Sequence, residues 1–416
     1  VKPAEATALV IDDGLFVHVA RSLAKGFGKV LYHLALRSAS PKAKWDFIGS
    51  GFPDLERSTN LYSAAKRADI IISPDVYTAD LADHFRDLGK PVFGAGMAGA
   101  SIETNRVKTR DLVRNAGLPL PKAEVVTGVD RLESRLRQLE NKWIKVLTYR
   151  GDVETFHHLD WFRTKPKLRK IAADLGPAGS EVVFLVEDPI EGVEVGLDVA
   201  VVNGEYPPTV SYGYEDKGTG YFGIVCAFKD LPSPIKEVCT KFQPVLKERK
   251  YTGWFSAEIR VTKDGTPFFT DPCMRPGSPP SESYMDLFAN WPDFVLSAAQ
   301  GKLIDLEPVA GYSAQIQLTS EEGKEDHLAW EIPKHVAPYV KLHQWARRNG
   351  IDYTVPVGES LMGSVVGLHD KDCHAAADLA KARVHEVKAY ALDFDEATFE
   401  VLGEMVEKGK KHKVSW

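Results

Sequence analysis

Cysteine is scarce in this 416-residue chain: Cys226, Cys239, Cys273 and Cys373 lie far apart, and no two form a Cys-x-x-Cys pair. That spacing excludes a cysteine zinc site and suits a reducing cytoplasm. Long apolar runs are missing too. No stretch reaches the ~18 residues that a membrane-crossing helix needs, and the residues from Val1 onward show no signal-peptide pattern. Repeats and low-complexity tracts are absent. There is no surplus of positive charge either; the net charge of −6 argues against a general nucleic-acid-binding surface. The basic tail, residues 407–413, reads as a solvated, frayed terminus. What remains is 44% hydrophobic and 26% charged, the balance of a soluble globular protein. The length suggests two to four domains, in a monomer or homodimer.

The first hundred residues alternate apolar strands with amphipathic helices. Ala8-Leu9-Val10-Ile11, residues 29–34, Ile70-Ile71-Ile72 and Pro91-Val92-Phe93 read as strands, with helices over 15–25, 61–67 and 79–88. This βαβ rhythm predicts an open parallel sheet whose ligands sit beyond the carboxyl ends of its strands, where Asp12-Asp13-Gly14 and Ser73-Pro74-Asp75 fall. A helix over 103–115 and further strands follow, including Trp143-Ile144-Lys145-Val146, 182–187 and 194–202. The Gly-rich 216–223 segment reads as a loop. A third region begins near Gly311 and holds strands and an Ala-rich helix over 374–389.

The densest chemistry lies in 253–277, GWFSAEIRVTKDGTPFFTDPCMRPG. Two antiparallel strands joined at Lys263-Asp264-Gly265 would put Glu258 near Asp271 and Arg275. Two carboxylates suit Mg²⁺ held together with nucleotide phosphates, and an adjacent guanidinium suits the same polyanion or a carboxylate. A surface hairpin with scattered charge is the alternative. Lys145 stands in an apolar strand and needs an anionic partner there. Tyr149-Arg150-Gly151-Asp152 could fold over phosphates through backbone N–H groups. Glu187 and Glu194 flank a Pro-containing break between strands, which fits a nucleoside contact or simply an acidic loop. Arg106 is a further phosphate candidate or a solvated helix charge.

In order and spacing these parts resemble the ATP-grasp ligases, and within them the glycinamide ribonucleotide synthetases (phosphoribosylamine–glycine ligases). The 93–106 segment is similar to the family's FGPTxxAAxLExSK, with Arg106 at the ATP-contacting lysine. Lys145 falls at the second ATP lysine, and 185–194 matches the adenine hinge and ribose glutamate. Residues 216–223 resemble a shortened DGDTGPNTGGMG loop, and 271–277, DPCMRPG, align with the family's EFNVRFG. Pro74-Asp75 is similar to its N-terminal GPE, and 361–387 to its closing domain.

The resemblance implies an α/β ATP-grasp fold. It divides the chain into an N-terminal open parallel-sheet (pre-ATP-grasp) domain over 1–96, an ATP-grasp domain over 97–310 with a lid at about 120–188, and a small C-terminal α+β domain over 311–416. It implies ADP-forming ligation of a carboxylate to an amine by way of an acyl phosphate. Arg106, Lys145 and Arg150 would hold the phosphates of ATP, and Glu187 and Glu194 the nucleoside. Glu258 and Asp271 would hold Mg²⁺ (or Mn²⁺), and Arg275 the carboxylate or developing acyl phosphate, with Lys145 sharing the catalytic role. Pro74, Asp75, Gly218, Thr219, Gly220 and Gly277 would complete the substrate site. The departures are equally specific. Asp12-Asp13-Gly14 replaces the family's glycine-rich GSGGREHA phosphate loop, which argues against phosphoribosylamine as the amine. Cys273 replaces a metal-binding Asn, and a neutral thiol is a poor Mg²⁺ ligand. The expected activity therefore joins glycine or another small amino acid to a different amine, an aminated nucleotide among the options. A true purine-pathway synthetase and a silent nucleotide-binding scaffold are the alternatives.

Overall fold

The computed structural model describes residues 2–35, 44–147, 155–279 and 281–415. Near the N-terminus, Thr7–Asp12 pairs in parallel with Lys29–Leu34 on one side and Ile70–Ser73 on the other. Glu56–Arg57 and Val92–Gly94 complete a five-stranded parallel sheet. Ala8 to Ile11 and Ile70 to Ile72 are at most 0% exposed, as continuous apolar runs should be when both sheet faces are covered. The first helix is Val17–Leu23, shorter at both ends than its apolar pattern suggests.

The helix expected over 103–115 is two helices, Met97–Thr104 and Arg106–Asn115. Asn105 breaks them: its backbone is non-helical, and its side chain accepts the Lys108 N–H. Asn favours such a cap over a helix interior because it competes for backbone hydrogen bonds. Arg106 therefore starts a helix.

A four-stranded antiparallel sheet follows, in the spatial order Ala123–Thr127, Val183–Glu187, Lys142–Val146, Thr155–His158. With the helices Val129–Leu136 and Trp161–Leu175 it buries its own apolar cluster around Leu132, Leu136, Ile144 and Phe184.

The largest sheet has eight strands, ordered Pro267–Cys273, Gly253–Val261, Val193–Val201, Thr209–Asp216, Gly220–Ala227, Tyr312–Thr319, Leu361–His369, Val340–Leu342. Three of the strands that follow Gly311 thus continue this sheet, whereas Leu328–Glu331, Trp345–Arg348, Ile351–Thr354 and Lys388–Ala389 form a separate four-stranded antiparallel sheet. The Gly-rich segment is mostly strand, and only Lys217-Gly218-Thr219 forms the turn, with Gly218 at φ +83°. The Ala-rich helix is Cys373–Val384 and packs hard on this sheet. A Cβ on Gly367 would lie 1.9 Å from the Ala376 carbonyl oxygen, so only glycine admits the helix at that distance. Among the described residues, no helix is long and apolar enough to cross a membrane.

Candidate active site

The acids at the edge of the eight-stranded sheet are aligned by one extra residue. Glu258 pairs with Asp271 and Ile259 with Phe269, leaving Thr270 bulged between them. Side chains alternate between faces along a strand, so an unbulged register would turn Asp271 away from Glu258. The bulge is held on both sides: the Thr270 hydroxyl donates to the Glu258 carbonyl, and the Thr270 carbonyl accepts from Lys145, each at 3.0 Å. On the next strand, Glu194, Gly196 and Asp198 stand opposite Arg260, Glu258 and Ser256. A Cβ on Gly196 would meet nothing nearer than 3.7 Å. Packing does not require glycine there; its effect is to keep the floor low between the acids.

Cations approach this floor from three directions. Arg106 reaches Asp271 at 3.0 Å from its helix start. Lys145 comes from the four-stranded sheet, 3.4 Å from Glu187 and 3.7 Å from Asp271. Lys217, in the turn, bridges Glu194 at 3.2 Å and Glu258 at 3.0 Å. Glu187 also pairs with Arg110, and Glu194 with Arg260. Arg275 donates Nε to Glu103 at 3.0 Å, and Glu103 also accepts the Met274 N–H at 2.7 Å. The result is a cleft of about 270 Å³ whose lining includes Arg106, Lys145, Lys217, Glu258, Asp271 and Arg275.

The electrostatics sort these acids. Burial works against the Asp271 carboxylate, but Arg106 and Lys145 outweigh it and hold its pKa below the usual range. At Glu258 burial wins: Lys217 offsets it only in part, the charges of Glu194 and Asp271 add to it, and the pKa rises. Lys145 is disfavoured by burial yet ends above its ordinary value because Asp271 and Glu187 are close, so it is a cation at any working pH. Burial lifts Asp198 to about 7, though Ser256 and Tyr221 both donate to it. It lifts Glu215 to about 8.

A divalent cation fits this donor set. Glu258 carries the marks of a carboxylate short of positive charge, and Asp271 is its cross-strand neighbour. Among the described residues no three His, Cys, Asp or Glu side chains converge as a metal site on their own. Two acids completed by phosphate oxygens is the usual Mg²⁺ arrangement. Cys273 lines the same cleft, but burial pushes its thiol pKa far up, so it contributes no thiolate ligand.

The structure brings Arg106, Lys145, Glu187, Glu194, Glu258, Asp271, Arg275 and Gly277 together around this cleft. It places others elsewhere. Gly218, Thr219 and Gly220 do not form the floor beside Arg275: the turn is short, and the Thr219 hydroxyl is turned to Asp216 at 2.7 Å and Thr398 at 3.0 Å. Pro74 and Asp75 do not line the cleft either; Asp75 is buried and caps the Tyr77 N–H at 3.2 Å. Arg150 lies outside the described residues. Sequence reasoning passed over Lys217, Asp198, Glu103 and Arg110. Lys217 was in plain view within the Gly-rich segment, whereas Asp198 needed the strand register to reveal its face.

No family model matches the chain. In sequence it is similar to the phosphoribosylamine–glycine ligase of Vibrio parahaemolyticus, 24% identical over 281 residues, or 61% of this chain and 64% of that protein. The matched region thus spans a little under two thirds of that relative's length. In structure it is similar to the phosphoribosylamine–glycine ligase of Thermotoga maritima, with a TM-score of 0.68 at 17% identity over 93% of this chain and 98% of the other. The fold is the ATP-grasp fold. A second ATP-grasp neighbour, the biotin carboxylase domain of the Hydrogenobacter thermophilus 2-oxoglutarate carboxylase, was solved with MgADP, ADP and bicarbonate. It gives a TM-score of 0.65 at 12% identity over 99% of this chain and 96% of its own. Within the ATP-grasp frame, the cleft between the four-stranded and eight-stranded sheets is where the cations and acids of this chain converge.

Proposed function

We propose that this cleft binds ATP and joins a small carboxylate to an amine, releasing ADP and phosphate. The observation that carries the reading is the bulge-aligned Glu258–Asp271 pair facing Arg106, Lys145 and Arg275 in one cleft. A carboxylate oxygen attacks the γ-phosphorus, the bond to the bridging oxygen breaks, and ADP leaves. The amine then attacks the acyl carbon of the mixed anhydride, phosphate departs, and the amine proton passes to phosphate or solvent. No nucleophilic side chain is needed; position and charge supply the catalysis.

Arg106 and Lys145 hold phosphate oxygens, and Glu187 and Glu194 take the nucleoside. Arg275, oriented by Glu103, takes the carboxylate. Mg²⁺ or Mn²⁺ held by Glu258 and Asp271 would neutralise the phosphate charge. Glycine or another small amino acid is the favoured carboxylate. The amine is one other than phosphoribosylamine, and the buried Asp12 supports this. Burial raises its pKa to about 6, Asp75 adds to the rise, and its Oδ1 has no hydrogen-bond partner. A carboxylate in that setting repels a phosphate.

ADP release measured across a panel of amino acids and amines tests the proposal. We expect release with particular pairs, abolished by Asp271→Ala with the thermal transition retained. Release with glycine plus phosphoribosylamine alone would return the chain to the purine-pathway activity. No release with any pair, or full release by Asp271→Ala, would refute the site.

A further inference from the structure

A second pocket, of about 390 Å³, opens between the Val17–Leu23 helix and the 334–347 segment, and shares no lining residue with the ATP-grasp cleft. Its lining carries Arg21, Lys25, Lys334, Lys341 and Arg347 against a single lining carboxylate, Asp54. The ion pairs leave this charge incompletely balanced. Asp286 serves both Lys25 and Lys341, each at 2.5 Å. Arg347 is spent on Asp352 through two bonds, at 3.0 and 2.7 Å. Arg21 gives only its Nε to Asp54, at 3.1 Å. Five cations thus meet three carboxylates, a local surplus of two in a chain whose net charge is −6.

Two of these cations are pre-positioned. The Arg21 guanidinium lies 4.6 Å from the Phe52 ring centre and 4.4 Å from that of Trp345, which fixes it without using its terminal N–H groups. Lys341 is 8% exposed. Burial lowers its pKa, and Lys25 and Arg21 push the same way against Asp286. An anion entering here would relieve that repulsion and find donors already in place.

We propose that this pocket is a binding site for a small phosphate dianion, either free phosphate or the phosphate group of a small metabolite, held by Arg21, Lys334 and Lys341. The proposal is independent of the ligase reading, because the two sites share no residue.

Titration calorimetry of the full chain with inorganic phosphate and, separately, glucose 6-phosphate tests it. We expect one saturable site, retained in the cleft variant Lys145→Met and weakened at least tenfold by Arg21→Gln and by Lys334→Gln. Lys334 is exposed, so its substitution leaves the fold intact even where Arg21→Gln loosens the aromatic clamp. Affinity should fall as salt is raised. Binding of inorganic phosphate would identify the free ion as sufficient; binding of the sugar phosphate alone would identify a monoester. The proposal is overturned by the absence of saturable binding of both probes. It is equally overturned if binding is lost in Lys145→Met, or survives unchanged in Lys334→Gln.

Discussion

Replacing Lys145 with methionine tests the cleft most directly, because it removes a charge while keeping most of the side-chain volume. The ammonium has three partners: the Thr270 carbonyl at 3.0 Å, Glu187 at 3.4 Å and Asp271 at 3.7 Å. Stripping a buried ion pair of one member usually costs ~3–5 kcal/mol because the other is left alone. Here neither acid is left alone. Glu187 keeps Arg110 and Asp271 keeps Arg106, so the stability loss reduces to about one charge-assisted hydrogen bond, roughly 1.5–3 kcal/mol. At ~2–4 °C per kcal/mol for chains of 150–250 residues, and less for a longer one, the variant stays folded at room temperature. ATP binding loses a phosphate contact of similar strength, which weakens the affinity roughly 10- to 100-fold. Calorimetric titration with MgATP, read beside a melting curve in the same buffer, separates the two effects. An unchanged affinity in a folded variant would refute the assignment of Lys145 to the phosphates.

Two further outcomes concern pH. Asp198 has a folded pKa of about 7 against its ordinary 3.8, so the unfolded chain releases this proton first as pH rises. Stability is therefore lost between about 4 and 7, on the order of 1.4 kcal/mol per unit of difference. Asp198→Asn should raise the melting temperature at pH 8 and have a smaller effect at pH 5; a larger gain at pH 5 would contradict the burial argument. Lys217→Met removes the main charge opposing the upward shift at Glu258, so the acid limb of the ADP-release profile should move to higher pH. An unmoved acid limb would show that Glu258 does not control it.

The central hairpin was readable because two strands with alternating faces and a Lys-Asp-Gly turn leave few arrangements for Glu258 and Asp271. Their alignment was not, since it depends on Thr270 bulging, and nothing local distinguishes Thr270 from any other strand residue. The parallel sheet was readable from apolar runs such as Ala8 to Ile11. The helix break was hidden because Asn105 sits within a continuous amphipathic pattern and acts through a cap three residues on. Partnerships across long separations were the least accessible. Lys217 meets Glu258 41 residues away, and Arg110 meets Glu187 77 residues away, distances at which only the assembled sheets decide who touches whom. The same limit hid the continuity of Tyr312–Thr319, Leu361–His369 and Val340–Leu342 with the sheet that carries the acids.

That continuity decides which part of the molecule can act as a door. From Pro267–Cys273 to Val340–Leu342 the strands form one hydrogen-bonded ladder, so the three strands beyond Gly311 that belong to it cannot swing from the acids without breaking backbone bonds. The four-stranded sheet that carries Lys145 has its own ladder and its own apolar core. Under the function proposed above, admission of a nucleotide would fall to that smaller sheet, and the contact of Lys145 with Thr270 and Asp271 would be its latch. A latch made of one ammonium, one carbonyl and one carboxylate is shut most firmly when nothing else competes for them. A polyphosphate with its metal would offer such competition, so the ligand proposed here would itself supply the charge that releases the latch.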